Sequence, residues 1–110
     1  MSTTVRFIIN KFIERMKRTM VQDNVITFLS SRFSKDVYSM SIGCGDYYTY
    51  PIGTIRDVKE DSFFDALSFR LTDKHDPIRF PIDGETISIK EYGNEFSLFI
   101  GKMELLFNAA

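Results

Sequence analysis

The sequence predicts an α+β domain: one N-terminal amphipathic helix packed on a twisted antiparallel sheet, or a partly closed barrel, of about six or seven short strands. Three observations carry this expectation. Val5, Ile8, Ile9, Phe12, Ile13 and Met16 recur at i, i+3, i+4, i+7, i+8 and i+11, which puts them on one face of a helix. After Asn24 the apolar period changes from 3.6 to 2. The alternating stretches that follow are separated by short turn signals, so sequential hairpin pairing is expected.

The helix is expected over Thr4–Met20. Ser2, Thr3 and Thr4 stand just before its stripe, where their hydroxyls can accept from the free N–H groups of a first turn. β-branched residues are dense over Val5–Ile9 and favour a strand locally, but the stripe continues through Met16. Asp23-Asn24 is read as the stop. Val25–Phe33 then reads as a strand, Ser34-Lys35-Asp36 as a tight connection, and Val37–Ile42 as the hairpin partner. Gly43-Cys44-Gly45-Asp46 breaks that strand, Tyr47–Tyr50 adds a short one before Pro51, and Gly53–Ser62 reads as polar loop.

Phe63–Thr72 resumes the alternation, with Leu67, Phe69 and Leu71 inward and Ser68, Arg70 and Thr72 outward. Asp73–Pro77 is a turn, and Ile78–Ile82 is a short edge strand, because Pro81 has no N–H to donate. Asp83-Gly84 leads into Thr86–Tyr92, where Ile87 and Ile89 alternate with Ser88 and Lys90. Gly93-Asn94 turns the chain into Phe96–Ile100, and Met103–Phe107 follows Gly101. The expected core joins Ile8, Ile9, Phe12, Ile13 and Met16 to Leu67, Phe69, Ile87, Ile89, Leu98 and Ile100.

At 110 residues, a single domain over 1–110 with one core is the default. Hydrophobic residues make up 44% and charged residues 26%, a globular composition, and eleven Phe can fill a core of this size. The net charge of −1 hides an asymmetry. Residues 1–35 carry seven basic and two acidic side chains, and residues 36–110 carry seven basic and thirteen acidic. Such a distribution marks either an anionic-partner face or attraction between the two parts within the fold. The lone Cys44 allows no intrachain disulfide and points to a reducing, cytoplasmic compartment. The first residues do not read as a signal peptide, since Arg6, Asn10, Lys11 and Glu14 interrupt the apolar run. No stretch is apolar enough for a membrane helix, so no membrane association is expected.

The same inventory excludes several chemistries. With one Cys and one His, a structural zinc site cannot be assembled. Asp57, Glu60, Asp61 and Asp65 lack the alternation and glycine of a calcium loop and read as a solvated loop. Gly43-Cys44-Gly45 is not a phosphate-binding loop, and neither a Gly-Lys-Ser/Thr nor a Gly-x-Ser-x-Gly motif occurs. The one nucleophile–base combination is Cys44 with His75, two isolated residues in a bend and a turn. No enzyme, cofactor, metal or small-molecule substrate is therefore expected.

Two features point to recognition. On the helical wheel Phe7 sits near the middle of the polar arc, with Arg6 and Lys17 on one side and Lys11, Arg15 and Arg18 on the other. Tyr47, Tyr48 and Tyr50 form the second, with Tyr48 and Tyr50 sharing one side of a strand. Tyrosines so placed serve protein interfaces or stack on bases. The leading expectation is a small non-enzymatic protein–protein interaction module that docks on another protein or self-associates. Such a module would suit a viral or phage accessory protein, either an inhibitor of a host factor or a virion component. The alternative is a nucleic-acid-binding protein using the basic helix face, against which the acidic remainder and a pI near 5.8 weigh.

Overall fold

Residues with paired side-chain alternation and tight turns between them fold as strands, and the computed structural model describes residues 24–44 and 48–109. Residues 24–35 are helical and are called α1. Seven strands follow: β1 (Tyr38–Cys44), β2 (Tyr48–Asp61), β3 (Ala66–Leu71), β4 (Ile78–Pro81), β5 (Ile87–Tyr92), β6 (Glu95–Ile100) and β7 (Met103–Ala109). They form one antiparallel sheet in the order β4-β3-β2-β1-β7-β6-β5, and α1 packs on it. The fold class is α+β.

The sheet is bent. A flat seven-stranded sheet would hold its edges about 29 Å apart. Here the edge strands β4 and β5 are joined by residues 82–86 alone, a link that reaches about 21 Å at full extension. The ring centroids of Phe69 on β3 and Phe107 on β7 lie 5.7 Å apart although β2 and β1 stand between those strands. Flat strands at that spacing would be about 14 Å apart. The sheet nevertheless stays open, because β4 and β5 do not pair, so the barrel expectation is corrected.

The bend is built into β2. Its first half pairs with β1 and its second half with β3, and each half carries one extra residue, Ile52 opposite Met40/Ser41 and Arg56 opposite Leu71/Arg70. Gly53 lies between them at φ 154°, and a Cβ there would come 3.3 Å from Leu71 Cδ1. Only glycine takes that backbone and that approach without strain.

The concave face holds the core. Val25 and Leu29 of α1 are buried against it, with Ile26, Phe28 and Phe33 partly buried. Phe33 sits among the rings of Tyr38, Phe69, Phe96 and Phe107 at centroid distances of 5.5–6.5 Å. Phe96 and Phe107 are direct cross-strand partners, stacked at 4.8 Å. Leu67, Phe69, Ile87, Leu98 and Ile100 are buried and Ile89 packs at the margin, as expected for the sheet half of the core. The expected helix over Thr4–Met20, with its core stripe, lies outside the described residues.

Further expectations are overturned. Val25–Phe33 is helix, because Val25, Leu29 and Phe33 repeat every four residues and Thr27, Ser30, Ser31 and Ser34 occupy the opposite, exposed or bonded face. Gly53–Ser62 is strand, not loop. Ile55 and Val58 are its core residues, and the bulge at Arg56 puts them three apart, which hides the period of two. Ser68, expected outward, is fully buried between its ladder partners Lys59 and Arg79.

Candidate functional site

The β2–β3 hairpin ends in the sequence Asp61-Ser62-Phe63-Phe64-Asp65, with Asp61 opposite Ala66 as the last ladder pair. Four residues therefore form the loop, and Asp65 closes it at φ 49°, a left-handed conformation that aspartate tolerates better than most residues. The Asp61 carboxylate fixes the turn from inside. Its Oδ1 accepts from the amides of Phe63 and Phe64 at 3.2 and 3.3 Å, an Asx-type arrangement. Its Oδ2 accepts from Arg79 Nε on β4 at 3.0 Å. The Ile82 amide also donates to the Asp65 carbonyl at 3.0 Å, tying the loop to the end of β4.

That scaffold holds two aromatic rings in solvent. Phe63 is 87% exposed and Phe64 54%. Their rings meet edge to face with centroids 4.9 Å apart, and the Arg79 guanidinium lies 4.6 Å from the Phe64 ring centroid. Arg79 thus joins Asp61 to Phe64. The Arg79 hydrogen bond is the main cause that holds the Asp61 carboxyl below the ordinary aspartate range. Chemically the tip offers a rigid apolar knob with one cation and one carboxylate at its base. It has no nucleophile–base pair.

The residues singled out from the sequence are distributed differently. Phe7, Lys11, Arg15, Arg18 and Tyr47 lie outside the described residues. Tyr48 and Tyr50 open β2, opposite Cys44 and Ile42, on the same side of the sheet, and are exposed at 76% and 64%. They stand at the far end of β2 from the Phe63–Phe64 tip, so the two aromatic pairs form separate surfaces. Phe63 and Phe64 were missed as site residues, because Phe63–Thr72 reads as one strand. The available signal was the Asp61-Ser62 turn pair directly before two adjacent apolar residues, which cannot both face a core from a strand.

Asp57, Glu60 and Asp61 are spread along β2 and do not converge with Asp65 on one point. Among the described residues no group of three His, Cys, Asp or Glu side chains is placed to hold a metal ion. No described helix is long and apolar enough to cross a membrane. Compared with protein-family models, curated proteins and solved structures, the chain finds no match.

Proposed function

We propose that this chain is a non-enzymatic protein-docking module that inserts the Phe63–Phe64 hairpin tip into an apolar recess on another protein. The observation that carries the reading is the exposure of these two rings on a turn that Asp61 and Arg79 hold in shape. Covering them is worth about 3–4 kcal/mol, and the preformed turn spares the ordering that a flexible loop would require on binding. Adjacent, desolvated aromatics with an arginine beside them are the usual composition of an interface hot spot. Tyr48 and Tyr50 provide a second contact for the same class of partner.

The test is capture from native-host extract by the full chain and by Phe63→Ala/Phe64→Ala. Both residues lie outside the core, so the variant should melt like the parent. The reading expects a protein retained by the parent and lost with the variant. Equal retention by both would remove the tip from the interface. A salt titration against mixed DNA and RNA pools addresses the nucleic-acid alternative. Binding that weakens steeply with salt and survives the double alanine substitution would favour it over docking.

A further inference from the structure

The two edges of the sheet differ. β4 is four residues long, contains Pro81, and has Arg79 bonded to Asp61, features that blunt an edge against strand addition. β5 is six residues long and has no proline. Its Lys90 ammonium leans along its own strand, 5.2 Å from the Tyr92 ring centroid.

The ladder determines which backbone groups of β5 turn outward. Gly101 N–H donates to the Thr86 carbonyl at 2.8 Å, and Ile87 stands opposite Ile100. In an antiparallel pair, bonded and non-bonded positions alternate. Ser88, Lys90 and Tyr92 therefore bond to β6, while the N–H and C=O groups of Ile87, Ile89 and Glu91 face away from the sheet. Those same three residues, together with Ser88, line a groove of about 370 Å³ whose other wall is Asn24, Val25 and Phe28 of α1. Glu91 pairs with Arg32, yet its side chain remains 52% exposed and leaves a carboxylate at one end.

We propose that the β5 edge and the α1 groove bind an extended peptide, apolar at its centre and basic beside Glu91, which adds to the sheet as an eighth strand. An extended backbone is the ligand that matches donors and acceptors repeating every second residue, and its alternate side chains would enter the groove between Val25, Phe28, Ile87 and Ile89. A second copy joined β5 to β5 is disfavoured by size. A stable dimer uses roughly 20–30 residues a side and at least about 1,200 Å², and this edge supplies six residues. The groove is lined by residues of α1 and β5 and the aromatic tip is the β2–β3 loop, so the proposal does not depend on the role of Phe63 and Phe64.

The experiment uses the full ¹⁵N-labelled chain and synthetic hexapeptides alternating Val or Leu with Thr, with and without a terminal Lys. In the free protein the amides of Ile87, Ile89 and Glu91 should exchange with solvent faster than those of Ser88 and Lys90. A bound peptide should slow the first three about tenfold or more, leave the other two unchanged, and bind more tightly with the Lys. Ile89→Pro removes one outward donor that β6 does not use, and should weaken binding about tenfold. Phe63→Ala/Phe64→Ala should bind as the parent does. The proposal is overturned if millimolar peptide protects none of the three amides. It also fails if those amides are already protected in the free chain, or if a peptide binds without the alternating pattern. The protection pattern is read on the unmodified chain, so it decides the matter even if Ile89→Pro does not fold.

Discussion

The Asp61 carboxylate accepts from the Phe63 and Phe64 amides on one oxygen and from the Arg79 guanidinium on the other. Three donors favour its charged form. The Arg79 side-chain bond is the largest cause of the lowered pKa. Partial desolvation opposes it, and the Phe64 amide, the Arg79 charge and the Phe63 amide add to it. The folded value lies below the unfolded one. The contribution to stability is therefore complete above the ordinary aspartate range, about 3.9, and is lost as pH falls through the lower folded value. The tip should hold its shape from neutral pH down to about 5 and loosen below the aspartate range. Amide exchange at Phe63 and Phe64, read against β6 amides as an internal standard, checks this. Asp61→Asn keeps an acceptor for the two amides but sets an NH₂ against Arg79, so its tip should be looser at neutral pH and indifferent to acid. Loosening of the parent already at pH 6 would show that another group controls the turn.

Among the elements, β2 is the one whose geometry has least tolerance. Gly53 combines a left-handed φ of 154° with a close approach to Leu71, between two bulges. Gly53→Val should lower stability by about 1–3 kcal/mol, seen as a drop in denaturation midpoint with the slope unchanged. An unchanged midpoint would mean that the bend does not depend on this residue. The same bulges explain why β2 was legible in the sequence only at its start, Tyr48–Tyr50, and read as loop from Gly53 onward. Each extra residue resets the alternation, so Ile55 and Val58 look like isolated apolar residues in a polar loop. The strands β5, β6 and β7 were legible to within a residue or two at most ends, because Gly93 and Gly101 sit at positive φ at the first position of two-residue turns. α1 was misread for a different reason. Val25-Ile26-Thr27 are β-branched, and local propensity outweighed the spacing Val25, Leu29, Phe33 that tertiary packing selects. The exposed Tyr48 and Tyr50 were visible as a same-side pair. The Phe63–Phe64 tip was not, since aromatic residues next to an alternating run look like its first core positions.

At the scale of the whole molecule, every ladder but one among the described residues joins neighbours in sequence. β1 to β4 form one meander and β5 to β7 another, and the β1–β7 ladder unites them. Hairpins close short loops and can form early, whereas β1–β7 brings together residues from opposite ends of the described chain and carries the larger closure entropy. The core spans that seam: Tyr38 and Met40 on one side, Phe96, Leu105 and Phe107 on the other, with Phe33 of α1 laid across them. Sheet and helix therefore depend on one non-local ladder of five pairs. The register of that ladder places Tyr38 opposite Ala109, so the chain enters β1 and leaves β7 at the same end. Under mechanical tension this geometry is consequential. Handles attached at residues 36 and 109 would load one hydrogen-bonded pair at a time and peel β7 away. Handles at residues 44 and 109 would load all five pairs together in shear. In an optical trap the first pair of attachment points should open the protein at a markedly lower force than the second, and equal forces would place the mechanical resistance elsewhere than in the β1–β7 seam.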